Sequence, residues 1–257
     1  MGTLSFSQAL ALFLAVVEIA VLALASVRRV WKTLPYLFIY LALVVAIEGA
    51  RWFVLVKSGT GSRSYSWTYW LTQPALLAAR AAVLADVCRA SLSFYRGVWQ
   101  MTRYLLGGTA AILVVLAFAR TVEKPGFVSY LLFAERELEV SVVVILLLLL
   151  VVSRYYGVEL GQPLKGIILG LVFYSSVVVI NTSILIGPLA LSWPVFSTVR
   201  VLAYLAALGM WGQALWVPFS QPERPPLIPS AEFEIASGAV DQRMRELNAR
   251  ILQLMKR

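Results

Sequence analysis

The stretch AERELEVSVVVILLLLLVVSRYY, residues 134–156, decides the class of fold. Between Glu139 and Arg154 it has 14 consecutive uncharged residues, most of them Val or Leu. A helix rises about 1.5 Å per residue, so this run reaches only ~21 Å, whereas the hydrocarbon core of a bilayer is about 30 Å thick. If this helix spans a membrane, it carries charged residues of the segment ERELE (135–139) into the bilayer.

The composition of the whole chain indicates an integral membrane protein. Of its 257 residues, 60% are apolar and 14% are charged, and the mean hydropathy is +0.82. The 22 Lys and Arg residues outnumber the 13 Asp and Glu residues, but they stand between apolar runs rather than in a basic stripe interleaved with aromatics. This pattern is typical of membrane topology signals and argues against nucleic acid as a partner.

Several kinds of chemistry are excluded by the residue types that the chain lacks. It has no histidine, so histidine-ligated zinc, bis-histidine haem and histidine general bases are ruled out. Its single cysteine, Cys88, permits no intrachain disulfide. No metalloprotease, phosphate-binding or dinucleotide-binding motif is present in the sequence. We therefore expect no enzyme activity and predict no catalytic residue, metal site or cofactor.

Seven apolar runs are long enough to cross a membrane as helices. No Lys or Arg precedes the first run, which predicts a retained helix rather than a cleaved signal peptide. The runs cover residues 6–27, 34–56, 67–90, 104–120, 127–153, 164–187 and 192–217. The predicted fold class is all-α: a polytopic membrane protein with a seven-helix transmembrane domain over residues 1–217.

The distribution of Lys and Arg predicts how these helices are oriented. The first, third and fifth loops and the C-terminal tail carry most of these residues, whereas the N-terminus and the sixth loop carry none. Because cytoplasmic loops are enriched in Lys and Arg, we expect the N-terminus outside and the C-terminus in the cytoplasm. The predicted location is the plasma membrane, the inner membrane of a bacterium, which the chain crosses several times.

Residues 218–257 form the only soluble part of the predicted fold. A Pro-rich linker, residues 218–230, precedes an amphipathic helix at about 236–257, in which apolar residues recur at a spacing of three to four. Two roles are open for this helix. It lies on the anionic inner leaflet of the lipid bilayer, or it docks on a partner protein or on a second copy of the chain.

Ionisable residues within the predicted spans mark a candidate site. Such residues are costly in a bilayer and by default face the bundle interior or a cavity. Counting helical rise from the span ends places polar residues of four helices at one level in the outer half of the membrane. The residues predicted to bind a ligand are Glu48, Arg51, Glu135, Arg136, Glu137, Glu139, Asn181 and Arg200. Glu18 and Arg80 are predicted to form a second pair near the middle of the membrane.

Two other interpretations of these charges stay open. Buried Glu–Arg pairs can serve only to hold helices together, and they then contribute specificity more than net stability. Alternatively, the fifth helix begins at Glu135. Residues 127–134 would then form an interfacial segment, and the charges would lie among the lipid headgroups.

Spans 1–3 and 5–7 share features that suggest an internal repeat on either side of one linker helix. LPYLF at residue 34 and QPLKG at residue 162 open corresponding spans, and each is followed by a span that opens with Ser-Trp. Glu18 and Glu139 also lie at similar points. Such a 3+1+3 arrangement is similar to that of the SWEET and PQ-loop transporters, although their Pro-Gln signature is absent here. The topology also resembles that of microbial rhodopsins, but the last span has no lysine for a retinal Schiff base.

The architecture and the charged start of the fifth span resemble small uncharacterised bacterial seven-helix membrane proteins, and this resemblance implies no activity. The function that we expect is receptor-like or sensory. Arginines held in place by glutamates would bind a small polar or anionic ligand in an outward-facing charged pocket, and the tail would signal to a partner. Two alternatives are a small-solute transporter built on the 3+1+3 repeat and a structural subunit of a larger membrane complex.

Overall fold

A computed structural model describes residues 6–59, 62–92, 127–155, 160–186 and 193–217, with shorter stretches at 99–100, 102–104, 107–108, 111–112, 115 and 242–243. Within these ranges every regular element is helical and no strand is present. The chain divides into two compact units, Met1–Gln221 and Pro222–Arg257. The predicted linker lies outside the described residues, and so does the predicted tail helix apart from residues 242–243.

Six long α-helices make up the described part of the first unit. They are α1 Phe6–Val27, α2 Pro35–Ser58, α3 Arg63–Leu92, α4 Phe127–Tyr155, α5 Gln162–Ile186 and α6 Trp193–Trp216, and a 3-10 helix, Val30–Lys32, follows α1. Each long helix corresponds to a predicted span, because an apolar run bounded by Pro, Gly or charged residues marks a helix and its ends. The predicted fourth span, 104–120, falls largely outside the described residues.

Helix α4 begins at Phe127 and continues without interruption through the ERELE segment. The alternative in which this helix began at Glu135 is therefore wrong. The preceding residues are apolar enough to continue the helical stripe, so the charged residues lie within the helix rather than at its end. This places the acidic cluster against the neighbouring helices.

The start of α2 is fixed by two local features. Pro35 is the first residue of the helix. Its lack of a backbone N–H costs no hydrogen bond there, because the first N–H groups of a helix have no intrahelical partner. The next residue, Tyr36, donates its backbone N–H to Asp86 Oδ2 in α3 at 2.9 Å. A carboxylate from a neighbouring helix thus satisfies one of the free N–H groups at this terminus.

The six helices form a closed ring in chain order. Each helix contacts the next from α1 to α6, and α6 contacts α1. Helix α3 also touches α5 across the ring. The first three helices, α1–α3, and the last three, α4–α6, are thus two consecutive triplets in the ring, and the predicted repeat stays a prediction.

The ring is apolar on its outer faces and contains charged residues inside. Large apolar side chains stay exposed on several helices, among them Phe13 and Ile19 of α1, Phe53 of α2 and Leu148 of α4. A water-soluble monomer rarely exposes so extensive an apolar surface. Four of the helices, α1, α2, α5 and α6, contain segments that are long and apolar enough to cross a membrane. These features indicate a membrane protein.

Helices α5 and α6 pack closely because two glycines of α5 face α6. A Cβ atom at Gly166 would lie 2.6 Å from the Cβ of Ala214, and one at Gly170 would lie 2.5 Å from Trp211 Nε1. The indole N–H of Trp211 donates to the carbonyl of Ile167 at 3.3 Å. Small residues spaced four apart permit this approach between membrane helices.

Candidate functional site

Four charged residues from three helices form one ion-pair network in the interior of the ring. Glu139 of α4 pairs with Nη1 of Arg80 in α3, and the same nitrogen lies 3.3 Å from Oε1 of Glu135. Glu135 also accepts two hydrogen bonds from Arg200 of α6, the one from Nη1 at 3.1 Å. Glu135 and Glu139 are only 5% and 1% exposed, so their charges are compensated by protein groups.

Neighbouring side chains complete the surroundings of Glu139 and Arg80. The hydroxyl of Ser175, in α5, donates to Glu139 Oε2 at 2.5 Å. The ring centroid of Tyr174 lies 5.3 Å from Arg80 Cζ, within the range of a cation–π contact. The network therefore joins α3, α4, α5 and α6.

A second ion pair is built on α2. Arg51 Nη1 donates to Glu48 Oε1 at 2.8 Å, three residues earlier in the same helix. The guanidinium group also donates to the Thr72 hydroxyl, at 3.1 Å from Nε and 2.6 Å from Nη2, and to the Tyr69 carbonyl at 3.2 Å. The Tyr69 ring lies 4.4 Å from Arg51 Cζ. These contacts with α3 fix the orientation of the guanidinium group.

A cavity of about 590 Å³ lies between α1, α2, α3 and α6, with a contribution from α5. The ionisable residues in its wall, apart from tyrosines, are Glu18, Glu48, Arg51, Arg80 and Arg200. Its aromatic wall residues are Tyr40, Tyr65, Tyr69, Trp70, Tyr174, Phe196 and Tyr204. Most lining residues belong to the N-terminal parts of α1, α3 and α6 and to the C-terminal part of α2, so the cavity lies toward one end of the ring.

A much smaller cavity of about 10 Å³ lies beside the ion-pair network. Its wall includes Arg80, Glu139, Ser175 and Trp211. This volume is about the space of one water molecule. Arg80 lines both cavities, so this member of the buried network is also part of the wall of the larger cavity.

The structure brings most of the predicted site residues together. Glu48, Arg51 and Arg200 line the larger cavity, whereas Glu135 and Glu139 belong to the buried network. Arg200 contacts Glu135 of the ERELE segment, whereas Arg51 pairs with Glu48 of its own helix. The depth in the membrane, counted from helical rise, predicts that these residues lie near one another, because the helices of the ring run side by side.

Three predicted residues belong neither to the wall of the larger cavity nor to the buried network. Arg136 pairs with the adjacent Glu137, with Nη2 and Oε1 2.6 Å apart. Asn181 donates from Nδ2 to the carbonyl of Phe196 at 2.9 Å, which ties α5 to α6. These contacts account for the three side chains as structural groups.

The predicted pair between Glu18 and Arg80 is not formed. Arg80 is engaged by Glu135 and Glu139, and Glu18 Oε1 has no hydrogen-bond partner among the described residues. The reason is the order of helices in the ring: α3 is adjacent to α4, whereas α2 separates it from α1. Both Glu18 and Arg80 nevertheless line the larger cavity.

The aromatic residues around the cavity were missed by sequence reasoning. The ring centroids of Tyr174 and Tyr204 lie 5.5 Å apart, and those of Tyr204 and Trp211 lie 6.4 Å apart. Tyr40 faces Trp211 at 6.3 Å. In the sequence these are single aromatics inside apolar runs. The one signal in the sequence is that these aromatics lie far from the span ends. Aromatic residues that anchor a helix at the membrane interface lie near those ends.

Within the described ranges, no group of three or more carboxylate or cysteine side chains is arranged to hold a metal ion. Comparisons with protein-family models, with curated proteins and with solved structures found no match. The chemistry of the site therefore has to be inferred from its own geometry. That geometry offers fixed guanidinium groups, carboxylates and aromatic rings around one cavity.

Proposed function

We propose that this chain is a receptor-like membrane protein that binds a small polar ligand with an anionic group in the larger cavity. The observation that carries the proposal is the position of Arg51 and Arg200 in the cavity wall, each held by a glutamate. A guanidinium group that is already oriented binds an anionic group with a smaller loss of side-chain entropy. The glutamates thus position the arginines rather than only neutralise them.

The apolar and aromatic part of the wall supports the same proposal. Small-molecule sites are concave, mostly apolar and contain a few convergent polar groups that fix the orientation of the ligand. The cavity has this composition, and its volume of about 590 Å³ is in the range of such sites. A network that only held helices together would need no cavity beside it.

The proposal includes a seven-span topology in which the cavity opens to the outside of the cell. The support is the distribution of Lys and Arg in the loops, which favours an external N-terminus and a cytoplasmic C-terminus. Lining residues such as Leu10 and Ala11 lie in the N-terminal part of α1. The cytoplasmic tail, residues 218–257, would then report the state of the bundle to a partner.

Cysteine accessibility tests whether water enters the cavity from outside. Cys88 is 1% exposed, and a Cys88→Ser background removes its thiol. In that background we expect Ser66→Cys and Ser197→Cys, both at cavity-lining positions, to react in intact cells with a membrane-impermeant thiol reagent. Leu71→Cys is the matched control, because Leu71 is 60% exposed on α3 but does not line the cavity.

No reaction at either cavity position in a folded protein would show that the cavity is closed to the outside. The charges would then be sealed between helices, and a structural subunit of a larger complex would become the better interpretation. Reaction at Leu71→Cys as strong as at the cavity positions would show that the labelling does not report the cavity.

A transporter is the second candidate, and the sequence features shared by spans 1–3 and 5–7 favour it. Uptake of substrate into sealed vesicles separates the two functions, since a receptor binds its ligand without flux. Uptake that is abolished by Arg200→Ala would favour the transporter over the receptor.

A further inference from the structure

One carboxylate in the cavity wall has no positive partner. Glu18 of α1 is 2% exposed and lines the cavity, and its Oε1 has no hydrogen-bond partner within the described part of the chain. The hydroxyl of Tyr204 in α6, a residue 8% exposed, is a second polar group of the same cavity that has no hydrogen-bond partner among the described residues. Buried polar groups of this kind are costly unless something binds them.

The second triplet of helices contains a comparable carboxylate that has a partner. Glu18 lies in the first helix of one triplet and Glu139 in the first helix of the other, and both side chains are almost fully buried. Glu139 is bound by Arg80, which comes from the third helix of the other triplet. A guanidinium group therefore compensates the carboxylate in one half of the ring.

The corresponding arginine is missing in the other half. Helix α6 is the third helix of the second triplet and contacts α1, as α3 contacts α4. The single arginine of α6 is Arg200, and it pairs with Glu135. Tyr204 of α6 lines the cavity together with Glu18. Among the described residues, no cation pairs with Glu18 as Arg80 pairs with Glu139.

A count of the charged groups around the cavity also identifies Glu18 as the carboxyl group without a partner. The wall and the network behind it contain four carboxylates, Glu18, Glu48, Glu135 and Glu139, but three guanidinium groups, Arg51, Arg80 and Arg200. Each arginine has a carboxylate partner among Glu48, Glu135 and Glu139, so Glu18 is the carboxyl group of this set that has no guanidinium partner. The wall of the same cavity also includes the rings of Tyr40, Tyr174 and Tyr204, whose π faces favour cations.

We infer that Glu18 and Tyr204 bind a protonated amine of the ligand, in the role that Arg80 has for Glu139. An ammonium group has N–H donors for both the carboxylate and the tyrosine hydroxyl. The inference rests on the proposed function, because it assigns a second charged group to the same ligand. The ligand is then a zwitterion that carries both an ammonium group and an anionic group, as a free amino acid or the headgroup of phosphatidylethanolamine does.

Three small probes of similar length test this assignment on purified full-length protein in phosphatidylcholine nanodiscs. The probes are butylamine, butyrate and 4-aminobutyrate, titrated at constant ionic strength, with dissociation constants taken from the shift in Tm. We expect Glu18→Gln to raise the Kd of butylamine about tenfold or more, because a charge-assisted hydrogen bond is lost. The Kd of butyrate is the matched control and should not change. Tyr204→Phe should weaken butylamine only a few-fold.

The result decides between the amine site and the cavity as a whole. Butylamine that binds equally well to Glu18→Gln, or butyrate that binds while butylamine does not, overturns the amine site and leaves the anion-binding cavity standing. If the carboxyl group of Glu18 is neutral, butylamine should bind equally well to Glu18→Gln and to the wild type. Failure of all three probes also overturns the amine site, and together with unreactive cavity cysteines it overturns the proposed function.

A change of lipid then identifies the source of the amine. If the ligand is a lipid headgroup, nanodiscs that contain phosphatidylethanolamine should raise the Tm of the wild-type protein, and Glu18→Gln should abolish that rise. Butylamine should then add little further stabilisation. If the ligand is a soluble molecule, the Tm should not depend on phosphatidylethanolamine, and the effect of butylamine should be the same in both kinds of disc.

Discussion

At the scale of single residues, the interior is organised by charged side chains that share partners. Arg80 binds both Glu139 and Glu135, and Glu135 also binds Arg200. A buried ion pair contributes little net stability compared with an apolar pair of similar volume, but removal of one partner leaves an uncompensated charge. The network therefore makes the arrangement of helices specific, and single substitutions within it should be severe.

Arg80→Met is expected to destabilise the protein by about 3–5 kcal/mol, because Glu139 loses its guanidinium partner and stays buried. Glu139→Gln in the same chain should recover most of this loss, since the uncompensated charge is then removed as well. Thermal unfolding of the wild type, both single variants and the double variant in one detergent measures the coupling. Losses that simply add would contradict a direct interaction between the two side chains.

At the scale of elements, α5 and α6 are held together without charges. Gly166 and Gly170 let the two backbones approach, Asn181 donates to a carbonyl of α6, and Trp211 donates to a carbonyl of α5. In a bilayer, packing of this kind replaces the hydrophobic driving force that holds soluble helices together. The contact between α5 and α6 should therefore be sensitive to the volume of single side chains.

Gly170→Val is expected to lower the stability by about 1–3 kcal/mol, the usual range for overpacking a close contact. A Cβ atom at this position would meet the indole of Trp211 at 2.5 Å, so the ring must shift away from the Ile167 carbonyl. Gly209→Ala is the control, because no atom lies within 4 Å of a Cβ built there. Its Tm should be unchanged or slightly raised, since alanine favours a helix over glycine. Equal losses in both variants would show that the packing contact does not matter.

At the scale of the whole molecule, the closed ring gives the protein a defined interior, and the loops determine its orientation in the bilayer. Thr33 precedes α2 and Ser64 lies just after the loop that follows it, so these two exposed residues mark opposite ends of one helix. The proposed topology places Thr33 on the cytoplasmic side and Ser64 outside. Single cysteines at these two positions therefore report the orientation of the bundle.

In a Cys88→Ser background, Ser64→Cys is expected to react with an impermeant thiol reagent in intact cells. Thr33→Cys should react only after the cells are permeabilised. The reverse pattern would refute the external N-terminus and would place the cavity on the cytoplasmic side. Each substitution replaces a small polar residue with one of similar size and leaves the loop charges unchanged.

The sequence predicts where the helices lie and how deep their polar residues are in the membrane. It does not predict which neighbouring helix a side chain faces. The predicted end of the first span coincides with the end of α1 at Val27, because basic residues follow the apolar run there. Helical rise also placed Arg200 at the level of the ERELE segment. It could not show which neighbour a side chain faces, and that is why Glu18 was assigned to Arg80. The order of helices in the ring, which the sequence does not contain, decides that pairing.

The shallow packing of α1 has a mechanical consequence. Among the four most apolar helices it is the least embedded, with 17% of its span buried against 50% for α5. Arg28, next to its C-terminal end, donates to the carbonyl of Trp216 at 2.6 Å, where α6 ends. A force on Glu18 would therefore act on the helix with the smallest buried share of these four. The contact of Arg28 would connect that helix to the last turn of α6.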